Sequence, residues 1–168
     1  AWEQSRKQAA YHEAGHAIIN AARGFTVTKL SIFKQLGDWG GWCSSPNPTS
    51  YLSIASDPVT DWYCAENTIA GLAGELVSRT YTHGSSVDEI VKTRQIAGLI
   101  ADKVDKPFPK VMTAIINSAV HKISHNRDVF DGLARRLYRQ RKVKGPELRH
   151  YLRQVELPTD SSVNEVTE

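Results

Sequence analysis

Small and aliphatic residues open the chain at helical spacing. Ala10, Ala14, Ala17, Ile18, Ala21 and Ala22 fall on one side of a helix predicted over residues 3–22, and Gly24 supplies its stop. The pattern then changes period. "TVTKLSIFK", residues 26–34, is rich in β-branched residues and alternates through Thr28, Leu30 and Ile32, which predicts a strand. Gly, Pro, Ser and Trp dominate residues 36–50, predicting a loop with a short strand at Gly41–Ser44.

Helical periodicity returns and holds to the end. Asp57 or Thr60 caps a second helix running to about Thr80, with Ala65, Ile69, Leu72, Ala73 and Leu76 as its apolar face. After Gly84, Ser86 and Glu89 have the three-residue spacing of a capping box and start a third helix. Pro107 and Pro109 interrupt, a fourth helix follows through Val111, Ile115 and Ile123, and Asn126 caps a fifth. Gly145-Pro146 resets the chain for a short sixth helix. Beyond Leu157 the text "PTDSSVNEVTE" has little to bury, so residues 158–168 are expected to be a disordered tail. The expected fold class is mainly α, with a small β element after the first helix.

The 168 residues suit one domain with a packed core, given 40% apolar and 23% charged residues. A formal charge of +3 is too small to argue for nucleic-acid binding. No apolar run reaches the ~20 residues of a membrane-spanning helix, and "AWEQSRKQAAYHE" has no secretory apolar core. Cys43 and Cys64 alone make no disulfide framework, so a reducing, cytoplasmic setting is expected. Residue 1 is not Met, which fits a trimmed product or an excised domain.

Against this ordinary background, "AYHEAGHAII" is distinctive. His12 and His16 are four apart on the first helix, where side chains lie on one face about 5–6 Å apart. Two imidazoles at that spacing can converge on one Zn2+. Glu13 falls on the flank of the same face, placed to take a proton from a metal-activated water without closing the coordination sphere. The small residues Ala14 and Gly15 let another backbone approach closely. The pentapeptide fixes only three positions and also occurs by chance in unrelated helices. A catalytic zinc site needs a third protein ligand, and Glu75 and Asp88 both compete for that place; spacing does not choose between them.

Four blocks in order, "AYHEAGHAII", "TKLSIFKQLGDWGGW", "IAGLAGELVSRTYTHGSSVDEIVKTRQIA" and "HNRDVFDGLARRLYRQRKVKGPEL", resemble the peptidase domain of the FtsH-type membrane AAA+ zinc proteases. The resemblance runs from about Arg6 to Leu152 and implies a zinc metallopeptidase domain over residues 1–157, helical with a β-hairpin beside the site. By that resemblance His12, His16 and Asp88 hold the zinc, Glu13 is the general base, and Glu75 sits behind the ligands without binding the ion. It also implies a polypeptide substrate, an AAA+ ATPase module as partner, and a location in the cytoplasm or on the cytoplasmic side of a membrane assembly. The chain has no GxxxxGK[ST] loop, so an ATPase would be a separate or removed module. Without it the domain is expected to be a monomer, and within such an assembly part of a sixfold ring.

The segment Gly40–Ser44 is expected to receive substrate as an added strand, giving affinity with little sequence demand. Trp39 and Trp42 either line that groove or pack under the loop. Cys43 reads as a plain loop or core cysteine, and His83 as a solvated loop histidine. His121 and His125 lack the intervening glutamate and read as surface groups, as does the basic run "ARRLYRQRKVK". The competing function is a zinc-stabilised binding or regulatory domain without turnover; a basic nucleic-acid protein is a third, remoter class.

Overall fold

A computed structural model of the chain describes residues 3–45 and 57–168. The chain order is α1 (Gln4–Ala22), β1 (Lys29–Gln35), β2 (Asp38–Ser44), α2 (Pro58–Ser78), α3 (Val87–Val104), α4 (Phe108–His125), α5 (Arg127–Gln140), β3 (Lys142–Lys144), α6 (Gly145–Leu152) and α7 (Ser162–Thr167). It is a mainly helical fold with one small antiparallel sheet, in agreement with the sequence. No helix among the described residues is long and apolar enough to cross a membrane.

Helix α2 is the axis of the molecule, packing against α1, α3 and α4. Its N-terminus forms as expected: Asp57 Oδ1 accepts the N–H groups of Val59 and Thr60, each at 3.0 Å, and Pro58 takes the first helical position. The α1–α2 crossing is made by glycines. A Cβ on Gly15 would stand 2.5 Å from the carbonyl oxygen of Ala70, and one on Gly74 would stand 2.5 Å from that of Tyr11. With hydrogen in place of those methyls the two backbones meet directly, so side chains projecting from either helix reach the other's far flank. Around the crossing Ile18, Ile19, Trp62, Ile69, Ile100 and Ile115 are fully or almost fully buried.

In the sheet, β1 is central and pairs with β2 on one side and β3 on the other. Leu30 and Ile32 point into the core, as the alternation predicts, opposite Cys43 and Gly41 of β2. The hairpin turns at Leu36 and Gly37, both with positive φ, the geometry that matches the twist of the flanking strands. Among the described residues β2 is an edge strand. It is longer than the short strand expected at Gly41–Ser44, and the rest of the expected loop, from residue 46 on, lies outside the described residues. The three-residue β3 was not legible in the sequence.

The capping-box expectation fails. Ser86 does not cap α3 through its side chain, and Glu89 does not reach back to complete a box; both turn toward the site described below. Residues 158–168, expected to be a disordered tail, carry helix α7. Val163 and Val166, one turn apart, are buried against the body, and Asp160 accepts a 2.7 Å bond from Lys122 Nζ. Lys122 is fully buried and also donates to Glu66 Oε1 at 2.5 Å, while Arg23 closes the group onto Glu66 Oε2 at 2.7 Å. A buried ammonium needs such partners, and the last segment supplies one of them.

Candidate metal centre

His12 and His16 leave α1 one turn apart, with ring centroids 5.0 Å from each other. The His12 ring lies flat against α2 at Gly71, where a Cβ would fall 2.2 Å from Nε2. Glycine at this position is what admits the ring. From the first turn of α3, Glu89 sends Oε2 to 2.5 Å from His12 Nε2 and 2.9 Å from His16 Nε2. One ligand atom from each of the three lies within 4.8 Å of the others. The second oxygen of Glu89 is shielded from solvent and accepts no hydrogen bond.

Asp88 is not part of this group. It faces solvent, because a helix turns about 100° per residue and Glu89 is the position that points inward. The carboxylate beside the two imidazoles is thus Glu89, one residue on from the expected ligand Asp88. A signal for it was in the sequence: Thr93, Ile96 and Ile100 mark the buried stripe of α3, and one turn before Thr93 comes Glu89.

Glu75 lies behind His12. It is 2% exposed, its Oε1 is 3.6 Å from His12 Nδ1, and its Oε2 accepts a 2.8 Å bond from Ser86 Oγ. Ser86 Oγ is itself 3.2 Å from His12 Nδ1. With its hydroxyl proton directed to Glu75, Ser86 has lone pairs left for Nδ1–H. With Nδ1–H held there, Nε2 is the nitrogen that faces Glu89 and that a metal would take on displacing its proton.

The donor set suits a divalent ion of the zinc type: two imidazole nitrogens and one carboxylate, with a spare carboxylate oxygen. In the protein alone these groups neutralise one another. Burial opposes protonation of His12, but its bonds to Glu75 and Glu89 outweigh that and raise it to about 10. Burial likewise works against ionisation of Glu89, yet the two histidines hold its carboxyl down at about 2.

Glu13 stands beside the group without belonging to it. It is 6% exposed, and burial pushes its carboxyl above the ordinary glutamate value, against the pull of both histidines. Strand β2 passes directly over it: a Cβ on Gly41 would fall 2.6 Å from Glu13 Cγ. Two clefts, of about 750 and 630 Å3, open on either side and share His12, Glu13 and Gly41 in their walls. Between them the clefts take residues 38–43 of β2 into their walls.

The remaining sequence candidates separate cleanly. Trp39 is packed, its indole N–H donating to Glu3 Oε1 at 3.0 Å and its ring held between Arg6 and Arg141, at 4.8 and 5.2 Å. Trp42, three residues on and so on the opposite face of β2, is exposed and lines the larger cleft. Cys43 lines that cleft, its thiol pushed up to about 12 by burial and by the charge of Glu13, and it is outside the metal group. His83 is exposed at the smaller cleft, His125 pairs with Glu156 at 3.2 Å, and His121 is exposed.

No protein-family model matches the chain. It is similar to the ATP-dependent zinc metalloprotease FtsH 4 of Synechocystis sp., with 23% identity across 93% of this chain and 31% of that protein. The chain thus spans about a third of the length of the relative and is related to one region of it.

Proposed function

We propose that this chain is a zinc-dependent metalloendopeptidase acting on unfolded or flexible polypeptides. His12, His16 and Glu89 hold the ion, and Glu13 is the general base. The observation that carries this reading is the convergence of three ligand atoms beside a buried carboxylate that is not one of them. The likeness to a zinc metalloprotease supports it.

Zinc bound there supplies Lewis acidity toward a carbonyl and lowers the pKa of a water. Glu13 takes the proton of the attacking water and later gives it to the departing amine. Its burial suits that exchange, because a carboxylate with a raised pKa gives up a captured proton less readily to bulk water. Glu75 and Ser86 hold His12 in the tautomer that presents Nε2. The free side of β2 receives the substrate backbone as an added strand, and Gly40 and Gly41 keep that approach clear of side chains. A separate AAA+ ATPase module would supply unfolded chain, and on that reading the domain works within a larger assembly.

Hydrolysis of a fluorogenic unfolded substrate with added zinc, with a chelator, and by Glu13→Gln tests the reading. Activity abolished by the chelator, and lowered about 10^2–10^4-fold in the variant, is expected. Zinc bound at one equivalent with no turnover of any polypeptide would leave the alternative, a zinc-stabilised binding domain.

A further inference from the structure

Helices α1 and α5 pack antiparallel. Tyr11 rests on Phe130 with ring centroids 5.1 Å apart, and farther along the seam the Glu3 backbone N–H donates to the Tyr138 hydroxyl at 2.7 Å. Residue numbers therefore rise along α1 as they fall along α5, which brings Lys7 level with the turn that carries Arg135. A cavity of about 400 Å3 lies on this seam, lined by Lys7, Tyr11, Arg135 and Arg139. It shares no lining residue with the two clefts at the metal group. Lys7 and Tyr11 are four apart on α1, and Arg135 and Arg139 four apart on α5, so each pair projects from one face of its helix.

Three of the four lining residues are cations and none is a carboxylate. The acids of this region are engaged elsewhere. Asp131 pairs with Arg127 at 3.0 Å and bonds the Tyr11 hydroxyl, while Glu147 pairs with Arg136 at 2.6 Å. Glu3 accepts from the Trp39 indole at 3.0 Å. Among the described residues no carboxylate forms an ion pair with Arg135 or Arg139. Like charges four apart on a helix oppose one another, and Lys7 adds a third from the facing helix. An anion in the cavity relieves that opposition.

The kind of anion follows from the donors and the space. Guanidinium forks meet phosphate oxygens two at a time, and lysine adds a point charge. A single carboxylate would answer one of the cations, whereas two or three adjoining phosphates carry enough charge for all of them. The volume falls toward the small end of the roughly 300–1,000 Å3 of ligand pockets, which suits a compact polyanion.

We propose that the cavity between α1 and α5 binds a ligand with two or three clustered phosphates, Arg135 and Arg139 taking its oxygens and Lys7 closing on it from α1. The site needs no metal and does not rest on the peptidase reading. A soluble phosphate ester and a phosphorylated lipid headgroup present the same chemistry, and the experiment tells them apart.

Calorimetric titration of the whole chain with sodium tripolyphosphate, in EDTA and at about 0.15 M salt, keeps the metal group out of the readout. One tripolyphosphate per chain with Kd below about 1 mM is expected. Arg135→Gln/Arg139→Gln should weaken it about tenfold or more, since charge-assisted bonds are lost. Arg149→Gln/Arg153→Gln removes the same charge from exposed positions at the end of α6 and should stay within about twofold. Flotation with phosphatidylcholine vesicles holding about 5% phosphatidylinositol bisphosphate is the lipid arm. Capture that tripolyphosphate competes away assigns the site to a lipid headgroup; tripolyphosphate binding without capture assigns it to a soluble ester. No tripolyphosphate binding, binding unchanged in the α5 variant, or equal weakening in the α6 variant would overturn the proposal. So would a polyglutamate peptide bound as tightly and lost in the same variant, which would mark a surface for acidic protein.

Discussion

Glu89 Oε2 approaches His12 Nε2 to 2.5 Å, bringing a carboxylate from the first turn of α3 onto a histidine of α1. On the proposed function, that contact makes Glu89 and not its neighbour the third ligand. Glu89→Gln keeps the volume and removes the charge, so zinc affinity should fall by more than about 100-fold, beyond the loss typical of an outer-sphere partner. Asp88→Asn, on the solvent side, should stay within about twofold of the parent, the range of a neutral surface change. Competition with a chromophoric chelator measures both, and the reverse order would return the role to Asp88.

Gly71 is as necessary to the centre as a ligand. In Gly71→Ala the new methyl would fall on His12 Nε2, so the ring must turn away. Zinc affinity should drop at least tenfold, the scale of disturbing a ligand's orientation. The metal-free protein should melt close to the parent, since alanine improves helix propensity by about 1 kcal/mol. An unchanged zinc affinity would show that the ring is not held against α2.

The Gly15–Gly74 crossing predicts a different outcome. A methyl on Gly74 meets the Tyr11 carbonyl at 2.5 Å and the Gly15 Cα at 3.1 Å, both backbone, so neither can swing aside. Gly74→Ala should destabilise by about 1–3 kcal/mol, as overpacking does. Urea titration of the metal-free protein reads it, and a midpoint at or above the parent's would contradict the close approach.

Asp160 ties the last segment to the buried Lys122. Burial would raise its carboxyl, but the bonds from Lys122, Ser118 and Ser162 outweigh that and hold it well below the ordinary aspartate value. A carboxylate depressed in the folded state adds stability above its unfolded pKa of about 3.9 and loses it as pH falls toward the folded value. Asp160→Asn should therefore cost about 1.5–3 kcal/mol at pH 7. The gap between variant and parent should narrow below about pH 4. A gap that is constant from pH 7 to pH 2.5 would exclude the charge as its source.

The helices were legible because each buries a stripe of fixed period and most begin or end at Pro, Gly or Asp. The imidazole pair and Glu13 were legible for the same reason, since four residues on a helix is a distance. Glu89 was misread because Ser86 and Glu89 also spell a local cap, and a local rule was preferred to the inward stripe through Thr93 and Ile96. Ser86 is drawn away from the helix end by Glu75, 11 positions away, and both residues by His12, more than seventy positions away, contacts that no short window contains. Helix α7 was not legible for a related reason: its two buried valines are too few to signal a helix, and the ion pair of Asp160 with Lys122 joins distant parts of the chain. β3 is three residues whose pairing is decided by β1.

Helix α2 carries Gly71, Gly74 and Glu75, and each meets a different neighbour. Because one residue advances a helix by about 100° and 1.5 Å, a single inserted or deleted position within that stretch would swing everything beyond it out of phase at once. The length of α2 is therefore fixed more strictly than its side chains away from these positions, while the fully exposed hairpin tip at Leu36 is free to vary in length.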